Sequence, residues 1–487
     1  MPEMILGFVL AYFVVLLGIA MYASRGAGNE AFFIGARQSN WLLVAYGMIG
    51  TSLSGVTFMS VPGEVTTKGF AYMQVVLGYF LGYLVVAYVL LPLYYRLQLT
   101  SIYTYLQQRF GTTAYKTGAG FFLLSRTMGA SIRIYLVLMV LQHFVLDPLQ
   151  IPFAITASVV LLLILLYTFN GGVKTIVITD TLQTTGMLLA LVITIVLIAQ
   201  SLELPVLTLF QQIHQKGYTT VFHLSDWRAG NFFLKQIIGG AFITITMTGL
   251  DQEMMQKNIS VRTLAESQKN MLLFSGIIIL ANLLFLFLGG ALYVFLEAKG
   301  IAIPAKSDET FSLVALNYLP PAAAIVFVIG LVSALFPSAD GALTALTAST
   351  CIDILDIKAK GYSEAQQLKI RRTVHITITL IFLLLILSYR QLIEASVIST
   401  ILKVASFTYG PLLGLFAFGL LSKRNISPML TPVVCVLAPA ICYLLNEYSK
   451  SLLGNYQIGL ELLVLNGAIT FLGLALISQP EKASSPN

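Results

Sequence analysis

Long apolar runs separated by short polar loops fill nearly the whole chain, and no other feature restricts its fold as much. A run of about 18 or more apolar residues crosses a bilayer as a helix, because hydrocarbon offers backbone N–H and C=O groups no partner outside the helix itself. Such runs lie near residues 4–22, 41–61, 70–95, 118–145, 151–169, 175–200, 233–253, 271–297, 321–350, 374–390, 394–421, 428–445 and 457–477. The 487 residues therefore predict an all-α polytopic membrane protein with about thirteen transmembrane helices. With 57% hydrophobic residues, 10% charged residues and a mean hydropathy of +0.86, the composition is outside the soluble range.

Most lysines and arginines fall in one alternate set of loops, which includes Arg25, Arg37, Arg96, Arg109, Lys257, Arg262, Lys369, Arg371, Arg372 and Arg424. That set is expected in the cytoplasm, with the N-terminus outside, as for a protein of the bacterial inner membrane. The net charge of +7 reflects this bias and points to no nucleic acid partner. Residues 4–22 have no basic residue before the apolar run and Arg25 after it, so they read as an uncleaved first span. Cys351, Cys435 and Cys442 are expected to be buried thiols without a disulfide or metal. The longest loops, near 201–232, 251–270, 298–320 and 351–373, are too short for a core of their own. Function must therefore lie within the bundle, and nothing indicates an obligate protein partner.

Three polar interruptions carry the chemistry. Stretch 50–63 combines Gly50, Ser52, Ser54, Gly55, Thr57, Pro62 and Gly63 inside an otherwise apolar span. A helix broken here frees carbonyls, those of Gly50 and Leu53 among them, and such oxygens hold hard cations like sodium. Close helix packing by small residues is the alternative for any single hydroxyl. In span 321–350, Pro337 removes an N–H and frees a carbonyl one turn earlier, near Ser333 or Ala334, beside the Ser338 hydroxyl. Asp340 is the one acid of that span, and Lys403 is a partner that would explain both residues as a structural ion pair. The third interruption is a tight turn at Asn170-Gly-Gly followed by a helix start with Asp180 and Gln183 one turn apart. Asp180 is either a coupling group or a water-exposed acid.

Four stretches together resemble the sodium:solute symporter family. They are Asn170-Gly-Gly with Thr179-Asp180-Thr-Leu-Gln183, Gly249-Leu-Asp-Gln-Glu-Met-Met-Gln256, Glu30-Ala-Phe-Phe-Ile-Gly-Ala-Arg37, and Thr100-Ser-Ile-Tyr-Thr-Tyr-Leu-Gln-Gln-Arg-Phe-Gly111. The resemblance implies a LeuT-like fold in which two inverted five-helix repeats enclose a central site. Residues 1–40 would then form an extra helix and loop, 41–201 the first repeat, 202–422 the second, and 423–487 two peripheral helices and a tail. The second repeat should also open with a broken helix, which Gly239, Gly240 and the threonine-rich 244–249 suit. Carried over residue by residue, the main sodium site becomes Gly50, Leu53, Ala334, Pro337 and Ser338. Pro337 departs from the family's serine or threonine and loses a hydroxyl. Asp180 matches an acid that helps form a second sodium site in some members.

Within the family, the branch that carries sialic acid is similar in using hydroxyls spaced like Ser52, Ser54 and Thr57, an amide like Gln74, and an arginine that grips a carboxylate. Arg133 is the expected clamp, with an internal ion pair as its alternative, and Arg126 is expected to snorkel to the cytoplasmic surface. The resemblance thus implies a sodium-driven symporter for a small anionic solute, an acidic sugar such as sialic acid, with a neutral sugar, amino acid or vitamin as alternatives. A transporter-like sensor is the remote alternative. His143, His214, His223 and His375 form no metal spacing, so an enzyme is not expected. Nor are the repeated pore motifs or single-charge rings of a channel visible.

Overall fold

The computed structural model describes residues 2–23, 38–357, 359–390 and 397–480. The stretch 30–37, Lys358 and residues 481–487 of the polar tail lie outside them. Helix α1 spans Pro2–Ala23. Helices α2 (Trp41–Ser52) and α3 (Gly55–Gly63) form one span bent by 55°. Helix α4 (Tyr72–Val85) continues through a wide turn to Arg96, and α5 (Thr112–Leu141) and α6 (Phe153–Ser201) follow.

A second bent span joins α7 (Phe233–Thr244), extended to Gly249, to α8 (Gln252–Ile259) at 65°. Then come α9 (Leu264–Ala298), α10 (Pro321–Ser349) and α11 (Glu364–Tyr389). Helices α12 (Val397–Thr408) and α13 (Gly410–Leu421) meet at 44° around Tyr409, and α14 (Thr431–Glu447) and α15 (Leu462–Leu476) complete the bundle. Among the described residues, seven helical stretches are long and apolar enough to cross a bilayer, or ten with each bent pair taken as one span, and three shorter apolar ones accompany them, with α6 contributing Thr175–Ser201 to the first group and Phe153–Phe169 to the last.

The breaks have local causes. At Leu53 the backbone leaves the helical region (φ −86°, ψ 78°), and Ser54 is extended (φ −76°, ψ 174°) with its hydroxyl not used as a cap. Asp251 restarts the chain after the second break, its Oδ1 accepting from the amides of Glu253 at 2.9 Å and Met254 at 3.3 Å. The expected second broken helix is therefore present, with its bend directly after the threonine-rich segment.

Three local expectations need correction. The predicted loop 251–270 contains α8, every residue of which is buried, so Lys257 is a core residue rather than a cytoplasmic loop charge. Thr104–Phe110 of the loop motif is a short helix. The tight turn at Asn170 is a bend within a continuous helical element. Tyr167 donates to Asp340 of α10 and Gly186 abuts Ser333 of the same helix. A straight α6 would hold residues 167 and 186 about 28 Å apart, against about 10 Å between residues 333 and 340 along α10. Outside the helices, Asn425–Ile426 pairs antiparallel with Ser478–Gln479.

Small residues bring α4 and α7 into backbone contact. A Cβ at Gly78 would overlap the Ile237 carbonyl, and one at Gly240 would overlap the Val75 carbonyl. Helices in lipid associate by such close approach, since the hydrophobic effect gives them no mutual attraction. Gly78→Val is expected to cost about 1–3 kcal/mol through overpacking, read as a lower melting temperature of the detergent-solubilised protein. Unchanged melting would show that the seam tolerates a side chain.

Candidate functional site

Helix α10 is buried from Val332 to Ser349 and lies directly beside the first break. A Cβ on Gly50 would stand 3.2 Å from Pro337 Cγ and 2.5 Å from Thr184 Oγ1, so glycine lets the broken helix touch both α10 and α6. The carbonyls that end α2 have no continuing helix to accept from. Pro337 lies inside α10 without interrupting it and leaves the Ser333 carbonyl without its usual donor. Ser338 Oγ and Thr184 Oγ1 are buried without a hydrogen-bond partner among the described residues. Gly50, Leu53, Ala334, Pro337 and Ser338 thus lie on two elements in contact, with the Ser338 hydroxyl and, from α6, the Thr184 hydroxyl uncommitted among the described residues. Thr184 was not singled out from the sequence, and a hydroxyl in a threonine-rich helix offers no signal for it.

A polar cavity opens next to the break. Ser52, Ser54 and Thr57 line it from the broken helix, Arg133 from α5, Thr244 and Thr248 from α7, and Asn282 from α9. Tyr72, Tyr79 and Tyr83 close one wall, with the first two hydroxyls 3.1 Å apart. Their spacing of seven and four residues is a helical stripe legible in the sequence, as is the Thr244–Thr248 pair one turn apart. Asn282 donates to the Ile278 carbonyl at 2.8 Å, and its own oxygen has no partner among the described residues. Gln74 does not line this cavity. It donates to the Ala71 carbonyl at 3.2 Å and lines a separate cavity with Lys403.

Of the two arginines of α5, one departs from its expected surroundings. Arg126, predicted to snorkel, is 4% exposed, contacts Glu253 and stands 3.9 Å from Asp251. Arg133 faces the cavity and forms no ion pair among the described residues. Asp340 does not pair with Lys403, which rules out the structural ion pair offered as one reading of the two residues. It accepts from Tyr167 and from the Gly341 amide at 2.5 Å, whereas Lys403 is exposed, because α12 turns that side chain out of the core. Asp180 is fully buried rather than water-exposed. Its Oδ2 accepts from Lys257 Nζ at 2.7 Å and Thr51 Oγ1 at 3.3 Å, and its Oδ1 has no partner among the described residues. The three cysteines are buried and free.

Two helices broken at membrane depth beside a polar cavity define a secondary active transporter. The chain belongs to the sodium:solute symporter family, whose model matches residues 32–427. It is 22% identical to the sodium/sialic acid symporter NanT of Aliivibrio fischeri, over 88% of this chain and 86% of that protein. It is 23% identical to the sodium/sialic acid symporter SiaT of Proteus mirabilis, over 94% and 92%. A structure of a sodium-coupled sialic acid symporter in a substrate-bound outward-open state superposes with a TM-score of 0.81 at 19% identity, covering 98% of this chain and 99% of that one. The LeuT-like fold, the dependence on sodium and the role as a membrane symporter rather than an enzyme follow.

Proposed function

We propose that this symporter imports an anionic sugar acid of the sialic acid class. The observation that carries the reading is the Arg133 guanidinium, which lines a hydroxyl-bearing cavity with no carboxylate paired to it among the described residues. A guanidinium in that setting matches a carboxylate through two parallel hydrogen bonds. Ser52, Ser54, Thr57, Asn282 and the tyrosines would meet the hydroxyl and amide groups of the sugar. NanT and SiaT, named for sialic acid, support the same solute. The N-terminus lies outside and the C-terminus in the cytoplasm, as the loop charges favour.

Sodium from outside binds between the broken helix and α10, at Gly50, Leu53, Ala334, Pro337 and Ser338. It stabilises the outward-open arrangement and holds Ser52 and Ser54 in place for the solute. Rocking of the repeats 41–201 and 202–422 then exposes both ligands to the cytoplasm. Proteoliposomes given labelled N-acetylneuraminate should accumulate it under an inward sodium gradient and not without one. A neutral sugar or a vitamin that is taken up in its place would overturn the solute assignment.

Ser338→Ala removes a buried oxygen that has no partner among the described residues. It is expected to raise the sodium concentration for half-maximal uptake several-fold, since a small cation is held by its full set of oxygens. Unchanged sodium dependence would remove Ser338 from the site.

A further inference from the structure

Helix α8 places Glu253 and Lys257 one turn apart on the same face. Lys257 is 3% exposed, and its ammonium donates to Asp180 Oδ2 at 2.7 Å and to Thr51 Oγ1 at 2.5 Å, with Glu253 Oε1 at 3.9 Å. Thr51 adjoins Gly50, so this ammonium is anchored to the same turn of the broken helix as one of the oxygens assigned to sodium. Three oxygen-bearing groups from α2, α6 and α8 converge on one positive centre, the arrangement a free cation would otherwise require. A lysine carries its charge as a compact point on a flexible stem with three donors, which suits it to such a position.

We propose that the Lys257 ammonium is a tethered cation that takes the place of a second sodium ion at Asp180, so that transport runs with one sodium per solute. The proposal rests on the symporter reading above. Lys257 neutralises Asp180 through Oδ2, and a second mobile cation at the remaining Oδ1 would be repelled by the ammonium across the same carboxylate. Asp180 then positions Thr51 and the first broken helix through Lys257, and the pair links both broken helices without itself releasing an ion to the cytoplasm.

The stoichiometry can be read from the flux null point in proteoliposomes clamped at zero voltage under a tenfold sodium gradient, with N-acetylneuraminate as the solute. One sodium per cycle balances a solute ratio of about 10 and two balance about 100, because each sodium adds the same factor to the equilibrium. Wild type is expected near 10. Lys257→Met should move the null toward 100 as the freed carboxylate recruits sodium, and Lys257→Met with Asp180→Asn should return it to 10. Lys257→Arg, which keeps the charge, should stay at 10. A wild-type null near 100 overturns the proposal whether or not the variants insert, and so does Lys257→Met remaining at 10 in protein that transports. Absence of any sodium-driven uptake by wild type would instead refute the symport of this solute.

Discussion

Arg133→Ala is expected to weaken N-acetylneuraminate binding by about 2–5 kcal/mol, because truncating one side of a buried, hydrogen-bonded charge pair leaves the other charge desolvated and unpaired. That is a loss of roughly thirtyfold or more, and uptake should nearly vanish. Lysine keeps the charge but loses the planar fork, so Arg133→Lys should retain weak binding. Sodium binding should persist in both variants, since Arg133 lies on α5 and the assigned sodium oxygens come from the first broken helix and α10. Calorimetric titration with the acid and with its methyl ester separates the readings. Wild type should bind the ester far more weakly, and equal binding of acid and ester would rule out a carboxylate clamp.

Arg126→Met should have the largest effect on stability. The substitution leaves Glu253, 2% exposed, without its guanidinium, and Asp251 with Tyr409 as its one side-chain partner at 2.8 Å among the described residues. Removing one member of a buried ion pair costs about 3–5 kcal/mol, whereas replacing both by neutral groups of similar size is often nearly harmless. Arg126→Met should therefore insert poorly and melt early in detergent, and Arg126→Met with Glu253→Gln should recover much of the loss. Strict additivity of the two substitutions would show that the charges do not act together. A large recovery of stability without recovery of transport would place the pair in the conformational cycle as well as in the core.

These two arginines show where a linear reading ends. They are seven residues apart on α5, which is close to two full turns, so they share a face and differ only in depth. Nothing local distinguishes them. What separates them is the position of Asp251 and Glu253, more than a hundred residues later, at the start of a helix that resumes after a 65° bend. The acid-bearing helix pairs with Arg126, while Arg133, lining the same cavity as Arg126, is left without an acid among the described residues. Lys257 looks like a loop charge in the sequence for a related reason. A short polar helix looks like a cytoplasmic loop unless the oxygens that compensate it are known, and these belong to Thr51 and Asp180.

The sequence by itself determined that the chain is a bundle of membrane-crossing helices and where the first of them breaks. Hydrocarbon leaves a backbone no alternative to internal hydrogen bonding, so apolar length and misplaced glycine, serine and proline are decisive wherever they occur. Family resemblance located the second break, which composition alone did not single out. Only the tertiary structure decided which polar groups face each other: Asp340 with Tyr167 rather than Lys403, Asp180 with Lys257, Arg126 with Glu253, and Gln74 turned away from the cavity. Electrostatic partnership depends on separations of a few ångströms between elements distant in the chain. Periodicity along a single helix holds no information about that distance.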